Sequence, residues 1–228
     1  YIMNDLYLNN LLIILAFSIT FISQIIVSSS YSKYKKKLNN KDQNGYDVAR
    51  KILDKNGLED IMILETKGNL TDHYDPTKKV IKLSTDIYHG SSIASVSVAA
   101  HECGHAIQDK DNYKPMRIRS KLVPTVNICT RIGYLAILIG IIFSYTLIEI
   151  GIILLLSMLV FQLITLPVEF NASKRALIQL EDLNLIDKEE KKSAQKMLSA
   201  AAFTYVAALL STLLEILRYV LIFADRDR

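Results

Sequence analysis

The chain has 228 residues, of which 50% are hydrophobic, and its formal net charge is +4. This length suffices for one domain of ordinary size, but the apolar residues are concentrated in blocks rather than evenly spread. The modest charge and the lack of a recognisable nucleic-acid-binding module argue against nucleic acid as a partner. Two cysteines, Cys103 and Cys129, are too few for a disulfide framework and favour a domain that faces the cytosol.

The apolar blocks predict segments that cross a membrane. The first, residues 6–27, is 22 residues without a charge and matches the roughly 20 that a helix needs to cross about 30 Å of hydrocarbon. Asp5 precedes it and lysines follow it, a pattern that favours a retained anchor over a cleaved secretion signal. Residues 132–168 predict a helical hairpin that turns near residues 144–150. Residues 200–224 predict a C-terminal membrane helix, for which crossing is favoured over the alternative of lying in the membrane surface. The sequence thus predicts about four membrane helices.

The polar stretch at residues 28–131 predicts a cytoplasmic part with a small sheet. Asp75-Pro76-Thr77-Lys78 has the composition of a turn, so the sheet should contain a hairpin. Gly57 is expected to end one helix, and Ser91 or Ser92 to begin another. The expected elements are a helix at residues 46–56, extended segments at 61–65 and 79–84, and a buried helix at 93–108.

A further helical region is expected after the apolar hairpin. Pro167 suits the first turn of a new helix, and Asp187 begins a capping-box pattern for a connecting helix. Residues 169–199 should hold these two helices. The fold class is therefore an α-helical membrane protein with a small α+β domain.

His101-Glu102-Cys103-Gly104-His105 has the His-Glu-x-x-His pattern inside the predicted helix at residues 93–108. Residues four apart share one helix face, so both imidazoles can reach one Zn²⁺ at roughly 2.0–2.1 Å. Zinc lowers the pKa of a bound water toward about 7, and Glu102 is the candidate general base that takes the water proton. Chance gives this pattern on the order of once in a few hundred chains of this length. Cys103 lies on the opposite face, where a small buried residue is expected.

A catalytic zinc site usually has three protein ligands, so one ligand is missing from this pattern. Gln108 and Asp111 stand where an extended form of the pattern would have a glycine and a third histidine. The remaining ligand must therefore come from elsewhere in the chain. The candidates are His73, His89 and a carboxylate, of which Glu169 is the best placed, because it follows the apolar hairpin that leads back to the zinc helix.

Three stretches of the sequence resemble a known family, the YugP-like neutral zinc metallopeptidases, which are bacterial membrane proteins. The resemblance covers nearly the whole chain and is far more specific than the zinc pattern alone. In this family an aliphatic residue is common where the chain has Cys103. The stretches are Leu70-Thr71-Asp72-His73-Tyr74-Asp75-Pro76, Val98-Ala99-Ala100-His101-Glu102 with Gly104-His105-Ala106, and Leu166-Pro167-Val168-Glu169-Phe170-Asn171-Ala172-Ser173.

The arrangement is more distantly similar to the membrane gluzincins that include HtpX and the CAAX-prenyl proteases. In these proteins a membrane hairpin separates the zinc helix from a glutamate ligand. The resemblance implies a gluzincin-like domain with Glu169 as the third ligand. Those relatives have an aspartate four residues after the glutamate, where this chain has Ser173. Ser173 and Asn171 are therefore candidates to support the metal ligands.

The expected function is that of a zinc-dependent endopeptidase acting on membrane or misfolded proteins, a substrate class that the resemblance implies. Its expected partners are a protein or peptide substrate and membrane lipid. The alternative is a proteolytically silent zinc-binding scaffold or regulator. The intact Glu102 argues against it, because a structural zinc site needs no base. A transport function is a third hypothesis, for which Glu215 is the only intramembrane hint, and pairing with Arg218 explains that residue more simply.

Lysines at residues 33–41 should hold residues 28–131 in the cytoplasm, because basic residues beside a membrane helix resist translocation. Together with the family resemblance, this predicts a multi-pass protein of the bacterial cell membrane whose site faces the cytoplasm. Residues 79–84 are expected to form a sheet edge to which an extended substrate adds. His73 on the same hairpin is a candidate to stabilise the oxyanion, and a surface or strand-capping role is the alternative.

Overall fold

The computed structural model describes the backbone of residues 2–224 and the side chains of residues 7–222. Over these described residues the chain is mostly helical and contains one three-stranded sheet. Its elements are α1 (Ile2–Lys35), α2 (Gly45–Lys55), β1 (Met62–Thr66), β2 (His73–Asp75), β3 (Val80–Ser84), α3 (Thr85–His89), α4 (Ile93–Lys110), α5 (Lys114–Phe143), α6 (Tyr145–Asp182) and α7 (Lys188–Ala224).

These elements contribute to two compact units. Within the described residues, the first unit consists of the chain up to Gln24, Ile118–Leu166 and the chain from Thr204 onward. The second unit consists of Ile25–Arg117 and Pro167–Phe203. The sheet and α2, α3 and α4 belong to the second unit, whereas α1, α5, α6 and α7 contribute residues to both.

The first unit is built from the apolar parts of long helices. Among the described residues, four helical segments are long and apolar enough to cross a membrane, in agreement with the number predicted from the sequence: Tyr7–Lys35, Lys114–Phe143, Tyr145–Asp182 and Lys188–Ile222. Large side chains such as Ile142 and Phe143 are exposed, which suits contact with lipid. A Cβ on Gly151 would lie 2.7 Å from the carbonyl oxygen of Gly133, so small residues let α5 and α6 pack closely as a hairpin.

Glu215 in the first unit has polar partners that the sequence did not indicate. The Tyr134 hydroxyl donates to it over 3.2 Å, and the Tyr219 hydroxyl donates over 3.3 Å. The Arg218 guanidinium lies over the Tyr219 ring, 4.5 Å from its centre. The two tyrosines thus account for the Glu215 carboxylate, which adds no support for a transport function.

The sheet of the second unit has the strand order β1-β3-β2. β2 and β3 form the predicted antiparallel hairpin, with Pro76 in its turn, and β1 pairs with β3 in parallel. The prediction that residues 79–84 form a sheet edge is therefore wrong, because β3 is the central strand. The edge strands are β1 and β2. β1 and β3 are neighbours in the sheet although β2 lies between them in the sequence. A pairing between strands that are not consecutive leaves no short-range signal in the sequence.

Two helix boundaries of the second unit lie at the predicted signals, whereas α3 was not predicted. The Ser92 hydroxyl accepts a hydrogen bond from the Ser95 amide over 3.1 Å and caps α4. Gly57 follows α2 with φ of +64°, as expected for a residue that ends a helix. α2 packs on α4 through fully buried side chains such as Ile52 and Leu53. This packing fixes the helix that carries His101 and His105.

Several helices, among them α1, α5, α6 and α7, are longer than the residue ranges that the sequence predicted. α6 continues through Pro167, so the prediction that this proline begins a new helix is wrong. Proline removes one main-chain hydrogen bond, but its φ is compatible with a helix and the flanking residues continue it. α7 joins the predicted connecting helix and the last membrane helix in one element, and the Asp187 amide donates to Glu190 Oε2 over 2.8 Å at its start. α1 extends beyond the apolar block to Lys35.

Candidate metal centre

Two histidines of α4 and one glutamate of α6 meet inside the second unit. Glu169 Oε2 lies 3.3 Å from His101 Nε2 and 3.6 Å from His105 Nε2. The three potential ligand atoms all lie within 4.8 Å of one another. The exposed fractions of the side chains are 16% for His101, 8% for His105 and 3% for Glu169. The group is therefore compact and largely shielded from water.

The spacing of these atoms fits a tetrahedral zinc ion. Two ligands that each lie about 2.0–2.1 Å from zinc at a tetrahedral angle are about 3.3–3.4 Å apart. The two nitrogen-to-oxygen distances of 3.3 and 3.6 Å are close to this value. Two imidazoles and one carboxylate also form a common donor set of catalytic zinc, which leaves a fourth position open.

Gly104 allows α4 and α6 to approach each other at this centre. A Cβ at its position would lie 2.5 Å from the backbone oxygen of Ala172, which is far inside contact distance. Glycine is thus the residue that fits between the two backbones here. Because Gly104 precedes His105 and Ala172 follows Glu169 by three positions, the same contact brings the ligands together. The His-Glu-x-x-His pattern alone treats this position as variable, although Gly104 is among the residues that carry the family resemblance.

Each histidine has a polar partner on its other ring nitrogen. Ser173 Oγ lies 3.2 Å from His101 Nδ1, and Gln108 Oε1 lies 3.0 Å from His105 Nδ1. The fully buried Gln108 also donates from Nε2 to the backbone oxygen of Val168 over 2.8 Å. A carbonyl oxygen can only accept, so the amide nitrogen faces Val168 and the amide oxygen faces His105. His105 then carries its proton on Nδ1 and presents the Nε2 lone pair toward Glu169.

Asn171 supports this arrangement one step further out. Its Oδ1 atom accepts from Gln108 Nε2 over 3.0 Å and from Arg175 Nε over 2.8 Å, and Arg175 also pairs with Asp111. Asn171 therefore reaches His105 through Gln108. Sequence reasoning did not identify Gln108 as a functional residue. Its distance of three residues from His105 on one helix face is the signal that could have done so.

Glu102 lies beside the three-residue group and is buried, with 7% of its surface exposed. Burial raises the pKa of Glu102 to about 7, while the adjacent His101 acts to lower it. A hydrogen bond from the backbone of Tyr74 also favours the ionised form and places the edge strand β2 next to this carboxyl. A carboxyl with this pKa can exchange a proton near neutral pH.

The other candidates named from the sequence lie elsewhere. His73 is exposed on β2, and its Nδ1 atom lies 2.8 Å from the backbone oxygen of Thr71. The Nε2 atom of His89 lies 3.3 Å from Glu65. Neither histidine shares the group of ligand atoms that the described residues form around His101. Cys103 is fully buried on the opposite face of α4, as predicted.

Comparison with known proteins covers almost the whole chain. The family model described as "Putative neutral zinc metallopeptidase" matches residues 9–224. The chain is 46% identical over 215 residues to the "Putative membrane protease YugP" of Bacillus subtilis (strain 168), and the match covers 94% of this chain and 96% of that protein. No solved structure matches the chain, so the gluzincin-like character of its domain stays a prediction.

Proposed function

Because the chain belongs to the neutral zinc metallopeptidase family, we propose that it is a membrane-embedded, zinc-dependent endopeptidase that hydrolyses membrane or misfolded proteins. Membership of this family implies Zn²⁺ as the cofactor. The observation that carries the proposal is the buried Glu102 beside a group of two histidines and Glu169 with the spacing of zinc ligands. A catalytic zinc site needs such a base, whereas a structural site does not.

In this proposal the second unit is a gluzincin-like domain in which His101, His105 and Glu169 hold the metal. Zinc supplies a Lewis acid that activates water and polarises the peptide carbonyl. Glu102 takes a proton from the attacking water at its carboxylate and then donates it to the leaving nitrogen of the peptide.

Serine and glutamine side chains keep the two imidazoles in place in this proposal. Ser173 contacts His101 Nδ1, and Gln108 contacts His105 Nδ1, so each ring has its Nε2 atom directed toward Glu169. Partners of this kind fix both the ring orientation and the tautomer of a metal-binding histidine. The residues around the ligands therefore hold the donor atoms ready for the metal.

An extended substrate is proposed to add to the edge strand β2. This strand contacts α4 through a hydrogen bond from the Tyr74 hydroxyl to Asp109, 2.8 Å long, and through the backbone contact to Glu102. Main-chain hydrogen bonds along a sheet edge favour unfolded substrates with little dependence on their side chains. His73 on this strand is a candidate to stabilise the oxyanion. A His73→Ala enzyme with full zinc and parental kcat would remove His73 from that role.

The site is proposed to face the cytoplasm. The support is the group of lysines in the last turn of α1 and directly after it, which includes Lys33, Lys36 and Lys37, because such residues resist translocation across the membrane. Replacing Lys36 by cysteine gives a position that a membrane-impermeant thiol reagent should label only after cells are opened. Labelling of this cysteine from outside intact cells would reverse the proposed orientation.

The peptidase proposal is tested with purified protein and an unfolded protein substrate. Cleavage should stop when a chelator removes the metal and return when Zn²⁺ is added back, because the three ligands alone lack the Lewis acid. The control is the same preparation without the chelator. A protein that retains one zinc per chain and cleaves no unfolded substrate would favour the alternative of a zinc-binding scaffold.

A further inference from the structure

A groove lies on the surface of the second unit between α1 and α7. Its volume is about 560 Å³. The two helices run side by side here, since Ser30 Oγ lies 3.9 Å from the Met197 sulfur and Lys37 Nζ lies 3.1 Å from Ser193 Oγ. The groove, called the α1–α7 groove below, is independent of the metal ligands, and nothing in the proposed peptidase function requires it.

One half of the α1–α7 groove is polar and cationic. Lys192, Gln195, Lys196 and Ser199 line this half, and their spacing places all four on one face of α7. All four side chains are exposed. This half therefore presents two positive charges together with groups that can form hydrogen bonds.

The charges of these two lysines are not compensated within the described residues. Lys192 and Lys196 form no ion pair there, and no acidic side chain lines the groove. The neighbouring Lys191, in contrast, pairs with Glu181, and Lys41 pairs with Asp187. The uncompensated charge on this face of α7 therefore favours an anionic ligand.

The other half of the groove is apolar. Ile26 of α1 lines it together with Ala200 and Phe203 of α7. Ile26 and Phe203 are 41% and 39% exposed, so their surfaces are open to a ligand. Both residues lie in helical segments that are long and apolar enough to cross a membrane. Phe203 follows Lys192 by 11 positions, or about 16 Å along the helix, a length comparable to a lipid headgroup and the upper part of its acyl chain.

We propose that the α1–α7 groove binds an anionic phospholipid. The phosphate contacts Lys192 and Lys196, the glycerol region forms hydrogen bonds with Gln195 and Ser199, and an acyl chain packs on the apolar half. Basic residues at a membrane boundary attract anionic headgroups, and the long lysine side chains can reach the headgroup level. A phospholipid combines both chemistries in one molecule, whereas a free phosphate uses only the cationic half.

The proposal is tested by lipid retention in native mass spectrometry of the full chain in detergent, with phosphatidylglycerol or phosphatidylcholine of identical acyl chains. The parent protein should retain phosphatidylglycerol preferentially. The double variant Lys192→Gln/Lys196→Gln should bind it about 10- to 30-fold more weakly, as expected for the loss of two lysines at an anionic surface. The control variant Lys51→Gln/Lys55→Gln makes the same charge change at the same spacing on α2 and should bind like the parent.

Two further outcomes decide between a lipid and a simple anion. Phe203→Ala should weaken phosphatidylglycerol binding, and soluble glycerol phosphate should compete poorly, because neither headgroup nor acyl chain suffices alone. Circular dichroism must show parental helicity for every variant. Three results would each overturn the proposal. The first is equal retention of both lipids by the parent, and the second is an equal loss of phosphatidylglycerol binding in the groove variant and the control variant. The third is competition by glycerol phosphate at the concentrations at which the lipid itself binds.

Discussion

Gln108→Ala removes the residue that ties His105 to α6. Gln108 is fully buried and contacts His105 Nδ1 from its oxygen and two acceptors of α6 from its nitrogen. After the substitution, the Val168 carbonyl still has its partner inside the helix, and Asn171 keeps Arg175. The Nδ1 hydrogen of His105 is the group that loses its acceptor. The ring is then free to rotate or to change tautomer.

The size of this effect follows from the contacts that are lost. One buried donor without an acceptor costs about 1–3 kcal/mol, and each of the two lost amide bonds contributes about 0.5–1.5 kcal/mol, so the free energy of unfolding should fall by roughly 2–6 kcal/mol. Loss of a histidine's outer partner typically weakens metal binding by about 10- to 100-fold, which is about 1.4–2.7 kcal/mol. Zinc affinity should therefore fall by at least about tenfold.

The assay is competition for Zn²⁺ between the purified protein and a chelating indicator, with thermal unfolding measured at saturating zinc. The control is Gln179→Ala, which removes a glutamine of α6 that accepts from Asn56, 2.9 Å away. If folded Gln108→Ala binds zinc within about twofold of the parent and the control, Gln108 does not position His105.

Three further variants probe the same centre. Glu169→Ala should lower the zinc content of the purified protein. The control is Glu181→Ala on the same helix, which loses only a surface pair with Lys191 and should keep its zinc. Undiminished zinc in Glu169→Ala would refute the ligand assignment. Gly104→Ala should weaken zinc binding by more than about tenfold, because the added Cβ would lie 2.5 Å from a backbone oxygen of α6. Parental zinc affinity in this variant would show that α4 and α6 can move apart at no cost to the site. Cys103→Ala should keep parental zinc affinity, since its sulfur contacts α2, and elemental analysis would expose any loss.

The sequence predicts those parts of the structure that depend on neighbouring residues. His101, Glu102 and His105 lie within one helical turn or so, and their relation follows from the period of a helix. The hairpin of β2 and β3 follows from the turn at Pro76, and the start of α4 from Ser92. Each of these features has a short-range cause, which explains why they could be read from the sequence.

Other parts of the structure depend on contacts between distant residues. The parallel pairing of β1 with β3 made residues 79–84 a central strand, although their composition suits an edge equally well. Pro167 reads as a helix start, but the apolar residues on both sides continue α6 through it. The bond of Gln108 to Val168 and the contact of Gly104 with Ala172 appear only when α4 and α6 are placed together.

The assignment of Glu169 depends both on features of the local sequence and on contacts between distant residues. The number of zinc ligands required a third donor, and the residues alone left two histidines and a carboxylate as candidates. The structure places Glu169 with His101 and His105, while His73 and His89 have other contacts. His105 and Glu169 are 64 positions apart, and the stretch between them includes the hairpin of α5 and α6, for which reason the sequence already favoured Glu169. The folded chain brings the three side chains together.

The central claim, that Glu102 is the base of a zinc peptidase, is tested most directly by Glu102→Gln. The amide keeps the shape of the side chain and still accepts from the backbone of Tyr74, but it cannot take a proton from water. The variant should retain zinc in the parental amount and lose cleavage of an unfolded protein by about 10²- to 10⁴-fold in kcat. Turnover comparable to that of the parent at equal zinc content would contradict the claim.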